Sequence, residues 1–279
     1  MNKTLLCIIV VFMAPIAFVF LIVPVFDRVP VINESTKTCL VTGASSGIGL
    51  EISRDMIKRG WSVVGVARRE EVLKDVLVRL GSSFIPYVCD VSDVGQVAAT
   101  SQEIKRQGLR PTLFFLNTGT GNVEEKYEPF VQEHKKIFNT NYFGTVAWVE
   151  EWVAEVKKYG GGTFVSTSSV SSLFAMPGSA GYSASKSALN ACFQSFRLQY
   201  RRDGIGFVLV LPGPVKTGML KVKKPMPFTH SPANEAKYII KQVFNREKQI
   251  EPSWFYSFVM RMFSWLPDAL LERLLISKG

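Results

Sequence analysis

The chain has little of what most metal and nucleophile chemistry requires. Its 279 residues include two histidines, His134 and His230, and four cysteines, Cys7, Cys39, Cys89 and Cys192. Neither histidine has metal-ligand spacing or a plausible partner for nucleophilic catalysis, so neither receives a role and no metal is expected. The cysteines are widely scattered and form no C-x-x-C pair; they read as buried free thiols. Internal repeats are absent, and no second catalytic domain is discernible. No basic stretch carries the interleaved aromatics or finger spacing of a nucleic-acid reader, which sets nucleic acid aside as a partner.

Apolar side chains, by contrast, make up 47% of the chain, enough to bury one substantial core. Thr4 to Phe26 are twenty-three residues without a charge. At about 1.5 Å of rise per residue, such a run crosses a hydrocarbon layer of about 30 Å. It is longer than the apolar core of a secretory signal, and no clear cleavage site precedes Asp27, so a single-pass membrane anchor over residues 1–28 is expected. Pro15 and Pro24 are tolerable there. Lys3 on one side and Arg28 and Lys37 on the other leave the orientation open. The formal charge of +10 suits work beside anionic lipid with a phosphate-rich cofactor, and equally a solvated basic surface.

After a linker over 29–37, the remaining residues, 38–279, alternate short β-branched runs with longer amphipathic ones. That pattern predicts a single α/β domain: a Rossmann-like, doubly wound parallel sheet with crossover helices. Strands are expected at Thr38 to Val41, Ser62 to Ala67, Phe84 to Cys89, Leu113 to Leu116, Gly162 to Ser166 and Gly206 to Leu211. Helices are expected at Leu50 to Arg59, Glu70 to Leu80, Val94 to Gln107, Phe130 to Tyr159 and Ala184 to Arg202. Residues 221–232, rich in Lys and Pro, read as a mobile substrate loop. Residues 254–276 are unusually aromatic, and can pack on the domain, dimerise it or lie in a membrane interface.

The first strand runs into Thr42-Gly43-Ala44-Ser45-Ser46-Gly47-Ile48-Gly49, which opens a helix. Glycines there allow a sharp turn and close approach to a pyrophosphate, favoured by the free amides and the positive dipole end of the helix. At the end of the second strand, Ala67 cannot hold ribose hydroxyls as an acidic residue would, whereas Arg68 offers a charged fork for a 2′-phosphate; NADP(H) is expected, with Arg69 as a possible helper. Tyr182 and Lys186, four apart on an Ala-rich helical run, share a face. An ammonium beside a phenol favours the phenolate and brings its pKa toward the working range.

The T-G-x-x-x-G-I-G turn resembles the signature of the short-chain dehydrogenase/reductase family, and the resemblance runs from about Thr38 to Thr217. Ser169, thirteen residues before Tyr182, matches the family's spacing, and Asn141 in Asn141-Tyr142-Phe143-Gly144 resembles its N-x-x-G segment. The resemblance implies a carbonyl–alcohol oxidoreductase in which Tyr182 transfers the proton, Ser169 polarises the substrate oxygen and Lys186 lowers the tyrosine pKa and holds the nicotinamide ribose. Asn141 would support a water linking the lysine to solvent. It further implies cofactor contacts from Gly43, Ser45, Ser46, Gly47, Ile48, Gly49, Asp90, Asn117 and Tyr182, and from Pro212, Val215 and Thr217 of a P-G-x-V-x-T element. Leu116-Asn117-Thr118-Gly119 departs from the family's usual N-N-A-G and puts in doubt local hydrogen bonding and the fit of the adenine-side ribose. Anchor and aromatic tail together look like the membrane-bound branch that includes the 11β-hydroxysteroid dehydrogenases and related retinol and lipid reductases. That likeness implies a lipophilic substrate such as a steroid or retinoid, an endoplasmic reticulum membrane and a possible homodimer. A catalytically silent NADP(H)-binding scaffold at a membrane is the alternative.

Overall fold

Strands β1 (Thr38–Thr42), β4 (Leu113–Leu116) and β6 (Ile205–Val210) are buried along their whole lengths, and β2 (Ser62–Ala67) and β5 (Gly162–Thr167) are nearly so. Side chains apolar on both faces suit a sheet covered by helices on each side. With β3 (Phe84–Val88) and a two-residue β7 (Gln249–Ile250), they form one seven-stranded sheet in the order β3-β2-β1-β4-β5-β6-β7. Every pairing is parallel. The computed structural model describes residues 28–121, 130–218 and 226–276.

Helices α1 (Gly47–Lys58), α2 (Glu70–Leu80) and α7 (Pro232–Phe244) bury apolar faces, with Ile52, Met56, Leu73, Val76, Ile239 and Ile240 in the core of one side. On the other side lie α3 (Val94–Arg106), α5 (Gly144–Lys158) and α6 (Ala180–Gln199), whose Trp148, Trp152, Leu189 and Phe193 are fully buried. Stacked Phe114, Phe164 and Phe207 on adjacent strands fill that layer, with ring centroids 4.5 and 5.3 Å apart.

The expected strands and most helices fall within a few residues of those observed. The expected single helix from Phe130 to Tyr159 is instead α4 (Phe130–Phe138) and α5, joined by one wide π turn, Asn139–Phe143. Such turns often mark functional positions, and Asn141 sits inside this one. The expected linker is not free: Val29 and Ile32 are core residues, and Arg246 exchanges hydrogen bonds with the Val29 backbone. Asn33 adds hydrogen bonds to the Tyr159 and Gly161 carbonyls at 3.0 and 2.9 Å. Residues 221–225 of the expected substrate loop lie outside the described residues, and at its other end Ser231 caps α7 and Pro232 opens it. Residues 254–276 form α8 (Trp254–Phe263) and α9 (Asp268–Leu275). The expected anchor lies outside the described residues, and among these no helix is long and apolar enough to cross a membrane. Cys39 and Cys89 are buried and Cys192 half-buried, all as free thiols.

Candidate active site

The site is built where the carboxyl ends of β1, β4, β5 and β6 lie side by side, the place at which such sheets bind ligands. From β1 the chain turns through Gly43 (φ +69°) and Gly47 (φ +59°), left-handed conformations that favour glycine. A Cβ on Gly49 would run into the Gly43 carbonyl, so the third glycine sets the turn's compactness. Ser46 occupies the cap of α1 but makes no side-chain cap, whereas Asp93 and Ser231 do cap α3 and α7. The first-turn amides of α1 therefore stand ready for an anion, which fits a pyrophosphate. Ser45 is buried and Ile48 half-buried in the same turn.

Arg68 and Arg69 divide their work. Arg69 donates to the hydroxyls of Ser45 (3.1 Å) and Ser46 (3.3 Å). Arg68 is 75% exposed and 3.8 Å from Asp90. Asp90 accepts from the backbone and hydroxyl of Ser92 at 3.0 and 2.7 Å. Burial raises the Asp90 carboxyl, but these hydrogen bonds and the Arg68 charge outweigh it and hold the group below its ordinary value. Asp90 thus closes a turn after β3 as well as facing Arg68.

A run of hydrogen bonds then links the strand ends. The Thr42 hydroxyl accepts from the amides of Asn117 (3.0 Å) and Thr118 (3.1 Å). Asn117 Oδ1 accepts from Thr167 Oγ1 at 3.0 Å, and the Thr167 carbonyl accepts from Lys186 Nζ at 2.6 Å. Thr118, the departure from the usual motif, stands close to the glycine turn: a Cβ on Gly43 would lie 3.3 Å from its hydroxyl.

Tyr182 and Lys186 do share a face of α6, the ammonium lying 5.8 Å from the centre of the phenol ring. Lys186 is 2% exposed, and burial lowers its pKa from 10.5 to about 8. Tyr182 is half-buried, and burial pushes its phenol up while a hydrogen bond with Ser169 lowers it. Ser169 supplies a downward pull on the phenol, and the Lys186 ammonium donates to the Thr167 carbonyl. Ser169 itself caps a short 3₁₀ turn, Val170–Ser172, and accepts from the Ser171 amide at 3.1 Å.

Asn141 is fully buried and ties the π turn to the loop after β4. Its Oδ1 accepts from the Thr120 amide at 2.8 Å, and its Nδ2 donates to the Thr120 carbonyl at 2.9 Å and Ser185 Oγ at 3.0 Å. A Cβ on Gly119 would stand 3.4 Å from Lys186 Nζ and 3.5 Å from Asn141 Oδ1, so the two polar atoms flank one spot. Pro212 accepts from the Val170 amide at 3.0 Å, which binds the P-G-x-V-x-T segment to the Ser169 turn. Thr217 reaches the glycine turn: a Cβ on Gly47 would be 3.2 Å from its methyl group. Val215 is buried beneath that segment.

The structure brings together Asn141, Ser169, Tyr182 and Lys186 within one cluster and sets the glycine turn beside Thr217. Sequence reasoning missed Thr42, Thr167 and Ser185, whose only signal is a hydroxyl at or near a strand end or one residue before a lysine. No group of His, Cys, Asp or Glu among the described residues could hold a metal.

A glycine turn on an uncapped helix, opposite a Ser–Tyr–Lys–Asn cluster on a parallel sheet, defines a nicotinamide-dinucleotide oxidoreductase site. Residues 37–227 match the short chain dehydrogenase family, and the chain belongs to it. A fatty acyl-CoA reductase of Acinetobacter baylyi is 29% identical over 226 residues, 78% of this chain and 76% of that protein. A dehydrogenase/reductase SDR family member 7B of Xenopus laevis is 31% identical over 189 residues, 64% of this chain and 58% of that protein. The fold is shared with a short chain dehydrogenase from Burkholderia cenocepacia in complex with NADP (TM-score 0.74, 24% identity, 85% of this chain and 97% of that one). A Burkholderia phymatum relative in complex with NAD superposes equally well (TM-score 0.74, 20% identity, 84% of this chain and 94% of that one). The chain is thus an NAD(P)-dependent oxidoreductase of the short-chain class.

Proposed function

We propose that the protein is an NADP(H)-dependent oxidoreductase that interconverts a carbonyl and an alcohol on a lipophilic substrate at a membrane. The hydrogen-bonded meeting of Ser169 and Tyr182 beside Lys186 carries the chemical part. When bound, the cofactor supplies the hydride. Tyr182 holds the proton for the carbonyl oxygen, and Ser169 donates a second hydrogen bond to that oxygen. Lys186 holds the ribose, and Asn141 with Lys186 bounds the path by which the proton is replaced.

NADP(H) is favoured because the end of β2 offers no carboxylate: Ala67 is buried and Arg68 projects an exposed guanidinium. Replacing Arg68 with Ala is expected to raise KM for NADPH by about tenfold while leaving KM for NADH within about twofold, the range of one lost charge-assisted contact. Equal losses for both cofactors, in parallel kinetics, would show that Arg68 does not read the phosphate.

A lipophilic substrate is supported by two aromatic pairs made by α8, where Phe174, five residues after Ser169, meets Phe263 at 5.5 Å and Phe228 meets Phe255 at 5.1 Å. Trp254 and Trp265 are 73% and 85% exposed on the same tail. Rings so placed suit a lipid interface, and the net charge of +10 suits an anionic one. The uncharged run from Thr4 to Phe26 would hold the domain there as a single-pass anchor. The acyl substrate in the name of the Acinetobacter relative points the same way. The 11β-hydroxysteroid dehydrogenase branch and an endoplasmic reticulum membrane remain part of this proposal. Its test is to incubate membranes carrying the full-length protein with NADPH and a panel of lipophilic ketones and aldehydes, following NADPH loss and product mass. Product that depends on Tyr182 supports an enzyme. Cofactor binding without product, in both reaction directions, favours the scaffold.

A further inference from the structure

His230 stands outside the Ser–Tyr–Lys cluster yet is built into the cofactor side of the site. Its amide donates to the Pro214 carbonyl at 3.2 Å, and its carbonyl accepts from the Lys216 amide at 2.9 Å, so it pairs with Val215 as a one-residue parallel bridge. Thr217, two residues past this bridge, meets the glycine turn at Gly47. The His230 imidazole reaches in the other direction, with Nδ1 2.8 Å from Glu235 Oε2.

Glu235 lies in the first turn of α7 and is completely buried, while the His230 side chain is 35% exposed. Its second oxygen, Oε1, makes no hydrogen bond. Burial raises the carboxyl above its ordinary value, and the histidine pulls it back. A half-satisfied carboxyl in a core costs stability, and an apolar side chain of similar volume would cost less. Its use must therefore lie in what it holds. Helix α7 packs along α1, the helix that carries the glycine turn, so Glu235 is fixed in the same rigid body as that turn.

We propose that Glu235, acting through His230, is a positioning device that holds Val215–Thr217 against the glycine turn and so sets how tightly the cofactor is bound. This rests on the cofactor lying between those two segments. The carboxyl orients the imidazole, the imidazole fixes the backbone of His230, and the two backbone hydrogen bonds place Pro214 and Lys216 on either side of Val215.

The test is NADPH binding by fluorescence titration, with KM and kcat, on the full-length protein. His230→Ala is expected to raise Kd and KM for NADPH about tenfold and to change kcat less than about threefold, the scale of one lost hydrogen bond to a carboxyl. His230→Asn, whose side-chain N–H takes the place of Nδ1, is expected to stay within about twofold of the parent. Glu235→Leu is expected to weaken NADPH as His230→Ala does while leaving the melting temperature unchanged or higher, and the double variant to be no worse than either single one. Unchanged NADPH affinity in His230→Ala, or additive losses in the double variant, overturns the proposal. If the parent binds neither NADPH nor NADH, the cofactor reading falls and takes this one with it.

Discussion

Tyr182→Phe is expected to lower turnover by about 10²–10⁴-fold while leaving NADPH binding within about twofold, because it deletes the proton donor and little else. The ring of Tyr182 packs where a Cβ on Gly121 would stand 3.1 Å away, and phenylalanine keeps that contact. What is lost is the hydroxyl that meets Ser169. Binding survives because the glycine turn, Arg68 and the Thr217 segment are untouched. Single-turnover reduction and cofactor titration, run on the same preparation, separate the two effects. An equal loss of turnover and of NADPH affinity would mean that the phenol holds the cofactor rather than transferring a proton.

The residues behind this expectation were legible before the fold was known, for different physical reasons. Strand positions such as Leu40, Val64 and Val208 are apolar on both faces, and a buried parallel strand must read that way. Gly43 and Gly47 mark left-handed turns that few other residues adopt. Tyr182 and Lys186 are four apart, which on a helix is adjacency. By contrast, β7 has two residues and no period to detect. The π turn at Asn139–Phe143 has no composition of its own; it follows from Asn141 bonding Thr120 across the site. The sequence favours Arg68 over Arg69, yet it is Arg69 that touches Ser45 and Ser46. Sequence order cannot say which of two neighbouring arginines leaves a strand toward the glycine turn. His230 shows no partner in the sequence, because Glu235 becomes its partner only when Ser231 caps α7 and the chain turns.

Lys186→Met should move activity and stability in opposite directions. Below about pH 8 the buried lysine is charged in the folded chain, and the fall from 10.5 to about 8 corresponds to a cost of about 3 kcal/mol. Between these values the unfolded chain binds the extra proton, so stability should rise with pH across that window; the whole cost applies below it. Methionine removes the charge and keeps most of the volume, but leaves the Thr167 carbonyl without its 2.6 Å donor. Setting about 1 kcal/mol for that bond against the relief leaves a net gain of about 1–2 kcal/mol, or a few degrees in melting temperature for about this chain length. Activity should fall by about 10²-fold or more, since the ammonium lies beside the phenol and is the expected ribose ligand. In the parent, carbonyl reduction should decline as pH rises through about 8, where Lys186 loses its proton, and the methionine variant should lack that inflection. A variant that melts lower at pH 7 would show that the Thr167 bond outweighs burial of the charge. A variant that melts higher and is inactive would identify Lys186 as a group kept for chemistry at a cost to the fold.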